Sequence, residues 1–345
     1  MNNIQVLILL IILMEIYHTI RNQFDKSSII FEHILFLIST MFCGFLPGYC
    51  STFPTDYTLE ESGTKNTLEF RIYFAYKNEF ISPVHDIPIL HNETSDIYNM
   101  IVEIPRWSNA KMEMNMVEPL NPIKQDVKNG KLRFVHNLYP FHGYPWNYGA
   151  LPQTWETPLG GDSLKGDNDP IDVIEIGRKK HEMGDIIQVK VLGALGLVDD
   201  GEMDWKVIAI DVTDPLAKKL EDVSDLSKLG NVVPTYFKWF KYYKYADNKK
   251  INRFISNELL NKTETLKVID DTHNHWKSLI SKTGDINNRN CYHTIRKPGT
   301  HDSCLISSRE ANAIVMNNKV MSLFTGSEGN AIIPTEDYLF HLNID

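Results

Sequence analysis

The stretch that decides the reading is Lys165-Gly166-Asp167-Asn168-Asp169-Pro170-Ile171-Asp172-Val173-Ile174-Glu175-Ile176-Gly177. Three aspartates fall within six residues, and the chain then runs directly into an apolar strand. Pro170 biases Asp169 toward extended backbone. In extended chain, residues two apart share a face, so Asp167 and Asp169 are expected to point the same way. The break in the pleat at Pro170 leaves room for Asp172 to return to that side. Carboxylates packed this closely repel one another unless a cation sits among them, and hard divalent ions favour oxygen ligands. The segment alone reads equally as a metal site at a strand edge or as a solvated acidic loop. An EF-hand loop is excluded. Counting from Asp167, its glycine and glutamate positions hold Asp172 and Arg178.

The whole chain narrows the choice. With 345 residues, 43% apolar and 23% charged, it has the composition of a globular protein with ample core. Its net charge of −9 disfavours a nucleic-acid binder that relies on phosphate contacts. The four cysteines, Cys43, Cys50, Cys291 and Cys304, lie outside the motif-bearing middle. They show no metal-type spacing and suggest no disulfide framework, which points to a reducing compartment and the cytoplasm.

Residues 1–56 read as an apolar leader. Val6–Met14 is an unbroken apolar run of nine, and Ile34–Leu46 is a second, interrupted stretch. Neither reaches the roughly 20 residues that span a bilayer. Met1-Asn2-Asn3 carries no positive side chain, as a signal peptide would. The leader is either a signal or anchor, or an extension foreign to the native chain. Membrane contact follows only if it is an anchor.

Residues 57–282 read as a folded domain. Glu69–Tyr76 alternates Phe70, Ile72 and Phe74 with polar neighbours, the pattern of a half-buried strand. Further short strands are expected at Met100–Ile104, Leu132–Val135, Asp172–Ile176, Ile186–Gly193 and Trp205–Ile210. No helices alternate with them, which favours an antiparallel or mixed sheet closing into a barrel. Helices are expected at Pro234–Tyr245, with proline in the first turn, and at Glu264–Ser281, which carries an amphipathic stripe. Residues 283–345 are rich in Asn, Ser and Gly with weak periodicity, and read as an irregular or partly disordered tail.

Other clusters add charge of both signs. Val198-Asp199-Asp200-Gly201-Glu202-Met203-Asp204-Trp205-Lys206 places a second acidic knot between two strands. A polar hairpin turn explains Asp-Gly, yet four acids exceed what a turn needs. Two such knots suit a site with more than one divalent ion, which activates water and stabilises phosphoryl displacement. Glu103, Arg106, Lys111 and Glu113 mix acids with bases, Lys131 and Arg133 flank an apolar position, and Tyr144–Gly149 forms an aromatic loop. Arg forks and Lys charges neutralise phosphate oxygens, so the combination fits a metal-bound, multiply charged anion.

These residues together resemble the family I soluble inorganic pyrophosphatases of the eukaryotic type. The resemblance runs from Tyr57 to Lys282. It is carried by His85-Asp86-Ile87-Pro88, Val102-Glu103-Ile104-Pro105-Arg106-Trp107, Gly130-Lys131-Leu132-Arg133-Phe134-Val135 and Asn147-Tyr148-Gly149-Ala150-Leu151-Pro152-Gln153-Thr154-Trp155-Glu156. It continues in Gly166-Asp167-Asn168-Asp169-Pro170-Ile171-Asp172, Asp204–Asp211 and Thr272-His273-Asn274-His275-Trp276-Lys277. The resemblance implies a mainly β fold with flanking α-helices, built on a small closed OB-like β-barrel. The implied reaction is hydrolysis of pyrophosphate to two phosphates with several Mg2+ ions. The metal ligands would be Asp167, Asp172, Asp204, Asp199 and Glu113, with Glu103 orienting the metal–water shell. Asp169 would be the base that receives a proton from the attacking water. Arg133, Lys111, Tyr148, Lys206, Tyr243 and Lys244 would hold the phosphates, and a homodimer is implied.

One departure bears on the site. Where the family often has Asp-Gly-Lys-Pro-Glu-Asn, this chain reads Asp247-Asn248-Lys249-Lys250-Ile251-Asn252, beside Tyr243 and Lys244. Two other readings fit less of the chain. A glycosyltransferase joining the leader to Asp-x-Asp needs a parallel sheet, and a metal-binding scaffold has no use for the clustered cations.

Overall fold

Five strands of alternating apolar residues form an N-terminal sheet: β1 (Tyr57–Ser62), β2 (Arg71–Tyr76), β3 (Glu79–Ile81), β5 (Met112–Met114) and β6 (Ile123–Gln125). The computed structural model describes residues 56–93, 96–159, 164–230, 232–245, 249–281, 291–324 and 339–341. The apolar leader at 1–56 therefore lies almost wholly outside the described residues. Among those residues, no helix is long and apolar enough to cross a membrane.

The second sheet carries the acidic segments. Its strands are β4 (Ile97–Ile104), β10 (Asn147–Ala150), β11 (Asp172–Glu175), β12 (Ile186–Asp199) and β13 (Glu202–Asp211), extended at β12 by β14 (Arg253–Phe254) and β15 (Leu260–Asn261). Antiparallel pairings link β4 to β10, β10 to β11 and β12 to both β4 and β13, while β11 joins β13 in parallel. The pairings thus return on themselves. The β12–β13 hairpin turns at Asp200-Gly201, with φ of 50° and 98°. Two successive positive φ values are what a two-residue hairpin needs to match the strand twist.

Strand alternation divides the core in two. Val173, Val189, Val191, Val207 and Ala209 face one way and pack on Leu266 and Ile269 of helix α2 (Lys262–Ser281). Ile174, Leu195, Leu197, Ile208 and Ile210 face the other way, toward Trp146, Trp239 and Phe240. Each Val, Leu or Ile among them contributes roughly 1.5–3 kcal/mol on full burial. Helix α1 (Val232–Tyr242) supplies Tyr236, Trp239 and Phe240 from one face, and Phe240 stacks on Trp146 with centroids 5.5 Å apart. It starts earlier than its proline, leaving Pro234 within the first turn. Helix α2 likewise starts before Glu264. Asn261 Oδ1 accepts from Glu264 N (2.9 Å) and the Glu264 carboxylate accepts from Asn261 N (3.2 Å). That reciprocal cap fixes the start of the helix.

Two expectations for the C-terminal region are corrected. Residues 308–324 form a regular helix, α3 (Ser308–Phe324), capped by mutual hydrogen bonds of Ser307 and Glu310. Its buried face is narrow: Ala311 and Val315 pack with Tyr73 and Leu120. So thin a stripe, set among Asn, Ser and Lys, gives little periodicity to read. Cys291 and Cys304 also form a disulfide, against the expectation of no disulfide framework. The turn at Pro298-Gly299, where Gly299 has φ 81°, folds the intervening chain back on itself. Short strands complete the description: β7 (Val127–Lys128) with β8 (Lys131–Leu132), and β9 (Asn137–Tyr139) with β16 (Leu339–His341).

Candidate active site

The acidic loop is a turn rather than extended chain. Asn168 adopts φ 85°, a left-handed conformation that asparagine tolerates better than most side chains. Asp169 N donates to Asp167 Oδ1 at 3.1 Å, closing the turn. Asp167, Asp169 and Asp172 still share one side, because the turn curls them inward rather than because a pleat alternates. The turn is held from behind by Glu156. Glu156 N donates to Asp169 O and Asn168 N donates to Glu156 O, both at 2.9 Å, while Trp155 Nε1 donates to Asn168 Oδ1 at 3.0 Å.

The neighbouring strand adds the next layer. Asp204 and Lys206 lie two apart on β13 and so share its inner face. Lys206 Nζ bonds both Asp172 and Asp204, and Tyr148 OH donates to Asp172. At the hairpin end, Asp199 accepts from Tyr243 OH at 2.9 Å and pairs with Lys244. The altered 247–252 segment, of which Asp247 and Asn248 lie outside the described residues, leaves both side chains in place and pairs Lys249 with Asp200.

The N-terminal sheet closes the far wall. Lys111 pairs with Glu113 at 2.6 Å and with Asp126 at 3.3 Å, and Arg133 Nη1 donates to Asp126 at 2.8 Å. Glu103 accepts from Met114 N at 2.7 Å, tying β4 to β5. Every candidate from the sequence therefore lines one cavity of about 100 Å³: Glu103, Lys111, Glu113, Arg133, Tyr148, Asp167, Asp169, Asp172, Asp199, Asp204, Lys206, Tyr243 and Lys244.

Two contributors were missed by sequence reasoning. Asp126 aligns Lys111 and Arg133, and nothing in its local sequence marks it. Glu156 ends the Gln153-Thr154-Trp155-Glu156 motif, but its proximity to Asp167 and Asp204 is created by the fold.

Charge and burial make the site demanding. Burial, with the Asp169 and Asp172 charges behind it, pushes the Asp167 carboxyl up to about 8. Burial likewise holds Glu156 and Asp204 well above the usual carboxylate range, reinforced by Asp167. Lys206 is buried too, but Asp172 and Asp204 outweigh that and hold it firmly protonated. One oxygen from each of Glu156, Asp167 and Asp204 lies within 4.8 Å of the others. Glu156 Oε2 is buried without a hydrogen-bond partner among the described residues. An all-oxygen set with an unmatched buried acceptor fits a hard divalent cation.

Comparison with known proteins converges on the same chemistry. A family model described as inorganic pyrophosphatase matches residues 100–277, just over half of the chain. Inorganic pyrophosphatase of Drosophila melanogaster is 49% identical over 255 residues, covering 70% of this chain and 75% of that one. The structure of inorganic pyrophosphatase from Schistosoma japonicum aligns with a TM-score of 0.70 at 46% identity, over 72% of this chain and 90% of that one. An N-terminally truncated vacuolar soluble pyrophosphatase of Trypanosoma cruzi, solved in complex with PPi, aligns with a TM-score of 0.61 at 38% identity, over 67% and 94% of the two chains. By family model, sequence identity and fold, the chain belongs to the family I inorganic pyrophosphatases of the eukaryotic type, and it is an inorganic diphosphatase.

Proposed function

We propose that the protein hydrolyses inorganic pyrophosphate to two phosphates with magnesium, and that Asp169 takes the proton from the attacking water. The observation that carries this reading is one small cavity lined by Lys111, Arg133, Lys206 and Lys244 on one hand and by clustered carboxylates on the other. Pyrophosphate and an incoming hydroxide are both anions, so charge must be neutralised before they meet. Arg133 is aligned by Asp126 and keeps further guanidinium donors for phosphate oxygens. Lys111, Lys206 and Lys244 add point charges, and Tyr148 and Tyr243 add hydroxyl donors.

Asp167, Asp172, Asp204, Asp199 and Glu113, with Glu156, would hold the magnesium ions, and Glu103 would orient their water shell. Bound magnesium would offset phosphate charge and lower the pKa of water. The Asp169 carboxylate has no hydrogen bond of its own among the described residues, and its loop is fixed by backbone bonds to Glu156. A rigidly placed carboxylate with open lone pairs suits a general base. The ring of pairings among β4, β10, β11, β13 and β12 supports a closed OB-like barrel as the platform for these groups. Family membership supports a homodimer, which sedimentation of the purified protein would read directly.

Phosphate release from pyrophosphate by the full chain, with and without magnesium, tests the function. Magnesium-dependent release is expected. Its absence overturns the proposal.

A further inference from the structure

The loop closed by Cys291–Cys304 lies after the residues that the family model matches, yet it grips a turn that supports the active site. Backbone N–H groups of Thr294 and Ile295 donate to the Asp86 carboxylate at 3.1 and 2.9 Å. Lys297 Nζ donates to the Asp86 carbonyl at 3.2 Å. The loop is itself held together where His293 N donates to Cys304 O (3.0 Å) and Ile306 N donates to His293 O (3.1 Å). It is anchored to the end of α2 where His301 N donates to Ile280 O at 2.9 Å.

The other side of the same turn carries Gln153. Gln153 N donates to Val84 O at 2.7 Å, and its side-chain amide donates to His85 O at 3.0 Å. Gln153 is buried at φ 55°, a left-handed conformation that a non-glycine residue keeps only where its surroundings impose it. Three residues later comes Glu156, a buried carboxyl with one oxygen within 4.8 Å of oxygens of Asp167 and Asp204, where ionised groups would repel one another.

We propose that the Cys291–Cys304 loop is a clasp that positions Glu156, acting through the Ser82–Asp86 turn and Gln153, so that magnesium binding depends on the clasp being closed. The proposal rests on the pyrophosphatase reading for the identity of the metal. Asp86 and Gln153 are positioning residues, since neither lines the cavity nor belongs to the acidic trio Glu156, Asp167 and Asp204. Opening the clasp takes a dithiol. Its two sulfurs become a disulfide while Cys291 and Cys304 gain two electrons and two protons as thiols, and the backbone bonds to Asp86 lose their closed frame.

Calorimetric titration of the full chain with magnesium tests this in three forms: oxidised wild type, the Cys291→Ser/Cys304→Ser double variant, and Asp86→Asn with the disulfide intact. The dissociation constant for magnesium is expected to rise about tenfold in both variants, the size of effect seen when outer-shell support of a ligand is lost. Dithiothreitol-treated wild type should match the double variant and recover on reoxidation. A dissociation constant within twofold of wild type in the variants overturns the clasp, even if their melting temperatures fall. Asp86→Asn decides the matter if the double variant does not fold. Phosphate release is followed in parallel. A wild type that binds magnesium without hydrolysing pyrophosphate refutes the pyrophosphatase reading, while the clasp is still judged on the dissociation constants.

Discussion

Glu156 Oε1 accepts the backbone N–H of Trp205 at 3.0 Å, Glu156 Oε2 is buried without a hydrogen-bond partner among the described residues, and one oxygen of the pair lies within 4.8 Å of oxygens of Asp167 and Asp204. One oxygen fixes the side chain to β13, and the other would be open to a cation. Glu156→Gln keeps the shape and the bond to Trp205 but removes a negative ligand. A ligand at free concentration c that binds only the folded state stabilises it by RT ln(1 + c/Kd), so magnesium held at this site would raise the melting temperature. The variant should show a smaller magnesium-induced rise in melting temperature and need about tenfold more magnesium for half-maximal turnover. Equal magnesium responses in variant and wild type would remove Glu156 from the ligand set.

Asp169 and Asp167 are separated by one residue but are assigned different tasks. Asp169→Asn should reduce phosphate release by about 10²–10⁴-fold, the usual contribution of a general base. The magnesium-induced rise in melting temperature should stay close to wild type, because the ligands are retained. A variant that turns over normally excludes Asp169 as base. One that loses the magnesium response instead makes it a ligand.

The sequence exposed the chemistry of the site more fully than its architecture. Asp167, Asp172, Asp204 and Asp199 were visible because acids cluster locally, and Arg133 and Lys111 because family motifs surround them. Glu156 and Asp126 were not, since each becomes significant only through partners brought near by folding. The strands were legible where apolar residues alternate, as at Phe70, Ile72 and Phe74, or run unbroken, as in Val207–Ile210. The inward curl of the acidic loop was not, because Asn168 can take either hand of backbone and only its bonds to Trp155 and Glu156 choose. Helix α3 was hidden by a buried face of two or three residues. The Cys291–Cys304 pair depends on a turn that spacing alone does not specify.

Gly149 sits between Tyr148 and Ala150, opposite Val102 where β10 pairs with β4. A methyl group added there would lie 1.9 Å from Ile101 O, a backbone atom that cannot step aside. Gly149→Ala must push β10 away from β4 and cost about 3 kcal/mol, at the upper end of overpacking penalties. Tyr148 would move with it and lose its bond to Asp172, so turnover should fall as well. Denaturant unfolding of the variant checks the first effect, and wild-type stability would show that the strands separate easily.

His181 gives the fold a pH-dependent support away from the active site. Its ring is buried, with Nε2 3.1 Å from Asp211 and Nδ1 3.6 Å from Asp185. Burial alone would lower its pKa, but Asp185 and Asp211 outweigh it and raise it from 6.5 to about 9. Below the unfolded value, both states carry the proton and the stabilisation is complete. As pH rises, the unfolded chain releases its proton first, and the advantage is lost by the time pH passes the folded value. Wild type should therefore exceed His181→Gln in unfolding free energy by up to about 3 kcal/mol more at pH 6 than at pH 9.5. Unfolding curves for both proteins at those two pH values measure the difference directly. A gap that does not narrow with rising pH would show that His181 is not held protonated by its two aspartates.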